Sequence, residues 1–448
     1  MNKKYIYISF LVIFIAASGF VVMRYSQKEK AKSQVVYDFL KRPNADANDA
    51  EWYKSFKQAE AHQDKLRQSP GDIKSMLALA NIFIQEGRVT GNFAYYDKAA
   101  MKYVNDVLKQ YPTNFEAGLM KSLLYMSQHH FADGLAMAEK VQQANPYNAL
   151  IYGVMVDGNV EMGNYDSAVS NSDKMISLRP DIRSYSRIAY LREIYGDYPG
   201  AIEAMQMAIT AGAPGAEATA WCRIQQARLY EFSGMTTEAK DEYEQALEDR
   251  PHYAYALAGL GKIALAKGNY AVAEKNYKEA LQWMPDNAFK VGLAEVYVAE
   301  KKPKEAAALQ QEVIASLEKD ALSGEQDEDI GHYADRELAY AYLAVGDMGK
   351  SLDHAMKEYN RRPENIDVNE TVGWVLYKNG DYAKALPYMI TALKTGSKNP
   401  VLLCQAGLVY VKNQNPIKAR EYLTAGLKEN VVIPADLRQE ARNALQNL

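Results

Sequence analysis

Apolar residues recur along most of the chain at intervals of three and four, in short segments separated by polar turns. In the stretch from Ala254 to Asn287, Leu257, Leu260, Gly261 and Ala264 fall at i, i+3, i+4 and i+7, which is one face of a helix. A Gly268-Asn269-Tyr270 turn follows; Ala273, Tyr277 and Ala280 then fall at i, i+4 and i+7, and Pro285 closes the segment. Gly268 turns the backbone between the two segments, and Pro285 cannot continue a helix. The pattern predicts two amphipathic helices joined by a tight turn, with small residues where the helices touch.

The unit repeats. Gly163-Asn164-Tyr165 precedes Ala168 and Pro180, Gly196-Asp197-Tyr198 precedes Ala201, Met205 and Ala208, and Gly234 precedes Ala239, Tyr243, Ala246 and Pro251. Gly346-Asp347 and Gly380-Asp381-Tyr382 open two more, leading to Ala355 and Pro363, and to Ala385, Met389 and Ala392. The turn glycines 163, 196, 234, 268, 346 and 380 lie 33, 38, 34, 78 and 34 residues apart. The long interval holds a degenerate unit, 288–316, whose turn reads Glu300-Lys301-Lys302-Pro303; earlier units end at Pro112 and Pro146, and a last one begins near Pro400. Ten units span about residues 73–433.

This spacing resembles the tetratricopeptide repeat, whose pattern is W-x2-L-G-x2-Y, A-x3-F and P. Leu257 stands for the Trp and Ala264 for the Tyr, while Leu260, Gly261, Ala273, Tyr277 and Pro285 fit. The resemblance covers about four-fifths of the chain. It implies an all-α, right-handed superhelical solenoid in which each unit is stabilised mainly by its neighbours. It also implies a binding scaffold for a protein or peptide held in a concave groove lined by the first helix of each unit.

The flanks differ. A short basic tail, 1–4, precedes an uncharged run from Tyr5 to Met23, YIYISFLVIFIAASGFVVM. Nineteen residues at 1.5 Å each just span a bilayer core of roughly 30 Å. The run reads as an uncleaved transmembrane anchor, with a signal peptide cleaved after Ala16-Ala17-Ser18 as the alternative. The short tail favours a periplasmic or extracytoplasmic array within a cell envelope; Arg24, Lys28, Lys30 and Lys32 keep a cytoplasmic face open. Residues 24–48 read as a linker, 49–69 as a capping helix built on Trp52, Phe56, Ala59 and Leu66, and 434–448 as a closing helix carrying Leu437, Ala441, Leu445 and Leu448. Insertions are expected at 88–97 and at 319–331, the second with an acidic run.

Composition adds little chemistry. A net charge of −4 gives no general attraction to nucleic acid, so none is expected as a partner. Cys222 and Cys404 read as buried small residues too far apart to bridge. None of the six histidines pairs with another at i, i+4 on a helix, and CxxC, GxSxG and GxxxxGK[ST] are missing. No cofactor, metal or catalytic set is expected, and the chain reads as a non-enzyme; oligomeric state is left open.

The informative positions lie opposite the packed face of each first helix. They are Arg183, Arg187 and Tyr190; Trp221, Ile224 and Arg228; Tyr255 and Lys262; then Tyr333, Arg336, Tyr340, Trp374 and Tyr377. Aromatic residues and arginine carry much of the energy at interfaces. The competing reading pairs the arginines with local acids such as Glu193 and Glu231. Some members of the resembled family grip a carboxyl-terminal peptide with a Lys/Asn/Lys/Arg clamp. Arg183 and Arg187 match its final pair, but Leu150, Gly153 and Asp157 do not match the rest.

Overall fold

The computed structural model describes residues 13–15, 17–24, 36–42, 50–326, 331–428 and 433–448. After a leading helix α1 (Ala50–Gln68), antiparallel helix pairs follow without a strand among the described residues. They are α2 and α3 (Ile73–Thr90, Phe93–Gln110), α4 and α5 (Phe115–Ser127, Phe131–Gln142), α6 and α7 (Ala149–Glu161, Tyr165–Leu178), and α8 and α9 (Ile182–Ile194, Tyr198–Ala211). Next come α10 and α11 (Glu217–Phe232, Thr236–Asp249), α12 and α13 (Ala254–Ala266, Tyr270–Trp283), and α14 and α15 (Asn287–Ala299, Pro303–Gln326). The series ends with α16 and α17 (Asp335–Ala344, Met348–Arg361), α18 and α19 (Ile366–Lys378, Tyr382–Ala392), α20 and α21 (Pro400–Lys412, Pro416–Gly426), and a final α22 (Ala435–Gln446). The molecule is an all-helical repeat solenoid, and the pairs are numbered here as repeats one to ten.

Local chemistry accounts for the pairs. Many first helices begin at an Asx cap: Asn114, Asn148, Asp181, Asp286, Asn365 and Asn399 each accept a backbone N–H of the first turn. Most turns between paired helices carry a left-handed residue, usually glycine. Second helices then bury a small residue early, as Ala168, Ala201, Ala239, Ala273 and Ala385 are fully covered, which lets the helices approach closely.

The repeats do not touch only their sequence neighbours. The turn inside repeat one meets the loop before repeat seven, where Met284 packs on Gly91. The turn of repeat two meets the segment before repeat eight: Tyr333 N–H donates to Gln128 O at 3.1 Å. The turn of repeat three meets the loop before repeat nine, where Asn365 Nδ2 donates to Glu161 O at 3.0 Å and Ile366 N–H to Tyr165 Oη at 2.9 Å. In repeat four, Gly196 lies against Gly396 and Lys398. The offset is about six repeats each time, so one superhelical turn lands on the next and forms a continuous seam. One apolar cluster spans it, joining Ile366 to Val156, Val160, Tyr165, Ala168, Leu191 and Ile194. The expectation of stabilisation mainly by adjacent units is therefore corrected for repeats one to four: the pitch is low enough for one superhelical turn to pack on the next.

Three other expectations change. Described residues 36–42 of the linker are docked: Phe39 is buried among Trp52, Phe56, Phe83 and Tyr96, and Arg42 pairs with the buried Glu86 at 2.7 Å. The insertion at 88–97 shrinks to a turn at Gly91 and Asn92, because α2 runs to Thr90 and α3 begins at Phe93. The insertion at 319–331 starts as helix, since α15 continues to Gln326; 327–330 lie outside the described residues.

Of the apolar run from Tyr5 to Met23, residues 5–12 and 16 lie outside the described residues; 13–15 and 17–24 are helical, with Phe14 and Val22 exposed. Among the described residues no helix is long and apolar enough to cross a membrane, so the structure lends the anchor no support.

Candidate binding wall and a histidine cluster at the seam

First helices of consecutive repeats carry a ladder of ion pairs. Arg187 on α8 donates to Asp157 on α6 through Nε at 2.9 Å and Nη2 at 2.6 Å, and to Gly153 O at 3.0 Å. A Cβ on Gly153 would sit 3.2 Å from the guanidinium carbon, so glycine lets the arginine approach the backbone closely. One repeat on, Arg228 Nη2 of α10 meets Glu193 Oε2 of α8 at 2.6 Å; next, Lys262 Nζ of α12 meets Glu231 Oε2 of α10 at 2.8 Å. Glu231 is buried and also accepts from Tyr243 Oη at 3.1 Å. Further along, Arg336 on α16 lies 3.7 Å from Glu370 on α18, which accepts from Tyr340 Oη at 2.6 Å.

Several of these side chains keep some exposure while burial weighs on their charge, namely Arg228, Glu193, Arg336 and Glu370. Arg228 is 36% exposed; burial is the largest single influence and works against its charge, but Glu193 together with Tyr190, Tyr198 and Tyr243 outweighs it and holds the pKa above the ordinary arginine value. Burial likewise pushes the Tyr190 and Tyr340 hydroxyls well above the usual phenol range and raises Glu370 and Glu193. The paired reading of the arginines, with Glu193 and Glu231 as partners, describes Arg228 and Lys262. Asp157, which departs from the clamp pattern, is the partner of Arg187.

The other sequence-derived positions divide. Arg183 is exposed; burial lowers its pKa despite Asp181, and Arg187, Arg179 and Arg88 add positive charge around it. Trp221 and Ile224 are half-buried against neighbouring core clusters, and so is Tyr190. Tyr255 is held edge-on by Tyr253 and Phe289 at 5.6 and 5.5 Å. Tyr333 is at the seam, stacked on His130 at 4.0 Å beneath the Arg361 guanidinium.

Trp374 and Tyr377 are not open: both are buried, stacked at 5.1 Å, in the last core cluster. The reason is α22. Its Glu440 accepts from Tyr377 Oη at 2.7 Å and Lys378 Nζ at 3.0 Å, so the final helix covers the wall of repeat nine. Leu437 and Ala441 bury its apolar side in the same cluster, and Asp436 adds to the burial that raises Glu295 on α14.

Sequence spacing offered no metal ligands, but the seam assembles three. His129, at φ 61° in the turn of repeat two, meets His332 and Glu337 across it, with ring centroids of the two histidines 4.1 Å apart. One ligand atom from each of His129, His332 and Glu337 lies within 4.8 Å of the others. Burial is the main influence holding both imidazoles below the ordinary histidine range. The signal was invisible in sequence because 203 residues separate the histidines. Cys222 and Cys404 are buried and unbridged, with thiols pushed up by burial to about 12.

Residues 224–288 and 264–321 match the family model of the tetratricopeptide repeat, which supports repeats of that kind over this stretch. No curated protein matches the chain. Among solved structures, MamA is 21% identical, covers 35% of this chain and 91% of its own, and superposes with a TM-score of 0.29. PilW, a widely conserved type IV pilus biogenesis factor, is 12% identical over 48% of this chain and 96% of its own, with a TM-score of 0.38. The human IFIT1 dimer with PPP-AAAA is 13% identical over 85% of this chain and 88% of its own, with a TM-score of 0.45.

Proposed function

We propose that this protein is a non-enzymatic scaffold whose inner wall, built from the first helices of the central repeats, holds a helical or extended segment of a partner protein. The observation that carries this reading is the position of α22. An acidic residue on that helix, Glu440, takes hydrogen bonds from Tyr377 and Lys378, so a first-helix face of this chain already accommodates a helix. Between Arg183 and Lys262 the same kind of face carries Trp221, Ile224 and Tyr255 beside the ladder of charges. Since Arg187, Arg228 and Lys262 are engaged by acids, they orient a partner rather than attract it strongly. Arg183, in its cationic surroundings, is the position for a carboxylate of the bound segment.

A photoreactive side chain at Arg183 or Ile224 should crosslink the partner, while one at the exposed Val272 on the outer helix α13 should not. Trp221→Ala should weaken capture roughly tenfold or more, as expected for an interfacial anchor, with helicity unchanged. Crosslinks from Val272 alone, or full capture by a folded Trp221→Ala protein, would remove the central wall as the site. A membrane tether through the run from Tyr5 to Met23, placing the array in the cell envelope, is a separate proposal resting on composition. Release of the full chain by carbonate would defeat it.

A further inference from the structure

The seam between repeats two and eight contains a group that packing and charge balance leave unused. The Glu337 side chain is 42% exposed, yet its Oε2 is buried without a hydrogen-bond partner among the described residues. Gln128, beside His129 in the same turn, is 4% exposed, and both its side-chain amide atoms lack a partner among the described residues. A polar atom held out of water with nothing bound to it is unfavourable, and native folds keep few of them.

The two imidazoles beside it are arranged as ligands are. His129 Nδ1 lies 3.1 Å from Tyr333 O, a contact that requires this nitrogen to carry the proton. The Ser127 backbone adds a favourable interaction with the His332 imidazole. The Tyr333 bond fixes the tautomer of His129 and leaves Nε2 of that ring with a free lone pair. Metal-bound histidines are oriented in the same way. The surrounding cations do not forbid a metal ion. Arg361 pairs with Asp335 and Glu358, Arg362 with Glu358 and Glu161, and Arg336 with Glu370, so the nearby arginines are already matched by carboxylates. Asp320 adds negative charge next to His332.

We propose that His129, His332 and Glu337 form a binding site for a divalent transition metal ion of the zinc class, clamping one superhelical turn to the next. Two imidazoles and one carboxylate suit Zn2+ or Co2+, with a fourth position left for water or an incoming donor. The ligand atoms, up to 4.8 Å apart, must draw together by side-chain rotation to reach coordination distance. Because one ligand comes from repeat two and two come from the start of repeat eight, binding tightens the seam and not a single repeat.

The test uses the full chain in mild detergent after chelator treatment. Zn2+ alone should bind at about one equivalent and raise the melting temperature, as a ligand of the folded state must. Co2+ alone should give the visible absorption of a tetrahedral site. Amide exchange at 127–130 and at 331–337 should slow together on Zn2+ binding. His332→Ala should abolish the cobalt spectrum. Glu337→Gln, which preserves shape and hydrogen bonding, should weaken Zn2+ binding roughly tenfold or more. His252→Ala, a histidine stacked on Trp283 elsewhere, should change neither. Failure of the wild-type chain to bind Zn2+, or binding of unchanged affinity in a folded Glu337→Gln protein, overturns the proposal.

Discussion

Gly163-Asn164-Tyr165 and Gly268-Asn269-Tyr270 are the same tripeptide in the same place, the turn inside repeats three and six. Both glycines are left-handed, with φ of 81° and 77°. A Cβ on Gly163 would lie 2.4 Å from the backbone carbonyl of Glu364, whereas a Cβ on Gly268 would meet nothing within 4 Å. Tyr165 is buried and its hydroxyl accepts the Ile366 N–H; Tyr270 is 38% exposed. Identical local sequence thus serves two purposes. In repeat six it only reverses the chain; in repeat three it also docks another superhelical turn. The difference follows from counting, because repeats one to four have a repeat six places ahead, and repeats five to ten do not.

The largest expected effect comes from removing the polar pin of the seam. Arg362 is buried, bonded to Glu358 and Glu161, and stacked over Phe131 at 4.5 Å. Arg362→Ala leaves the buried Glu358 to Arg361, strips Glu161 of its guanidinium partner across the seam, and should cost about 3–5 kcal/mol. Amide exchange should rise at 160–165 and 362–367 together, two stretches far apart in sequence. An increase confined to 362–367 would mean that the turns are held by something else.

The glycine pair gives the direct contrast. Gly163→Ala adds a backbone clash to left-handed strain and should cost about 2–4 kcal/mol; Gly268→Ala incurs the strain alone, about 1–2 kcal/mol. Equal losses in chemical denaturation would show that the seam contributes nothing at repeat three.

A smaller effect concerns pH in the covered half. Asp97 is 5% exposed, with Ser127 Oγ donating to it at 2.7 Å, and burial raises its carboxyl to about 7. Between the unfolded value near 4 and the folded value, the native state holds a proton that the unfolded chain releases. Stability from this group is therefore full below about pH 4 and falls as pH rises through about 7. Asp97→Asn should flatten that slope and stabilise the protein at pH 8 by about 1 kcal/mol or more. A slope that persists in the variant would assign it to other groups.

The repeats were legible because their evidence is local. Ala273, Tyr277 and Gly268 announce a helix, a partner helix and the turn between them within one unit. The ladder was legible in part, since Glu193 and Glu231 lie within a repeat of their cations. The seam was not, because it depends on superhelical pitch, a sum of small rotations that no single repeat records. Trp374 and Tyr377 read as open groove positions for a related reason. Periodicity records which helix face they share, but not that α22 returns from beyond the array to pack in the same cluster. His129 and His332 belong with the seam: their proximity is a property of closure, not of either segment.

The seam also bears on how the chain is made. Ile366 completes the cluster around Tyr165 from 201 residues downstream. At roughly 5–20 residues per second, a ribosome needs about 10–40 s to deliver the second side of that contact. Over that interval Val160, Tyr165 and the Glu161 carboxylate await their cover, exposed to chaperones, proteases and other nascent copies. An ordinary open solenoid can finish each unit as it emerges. Here, the third repeat is translated early and completed late.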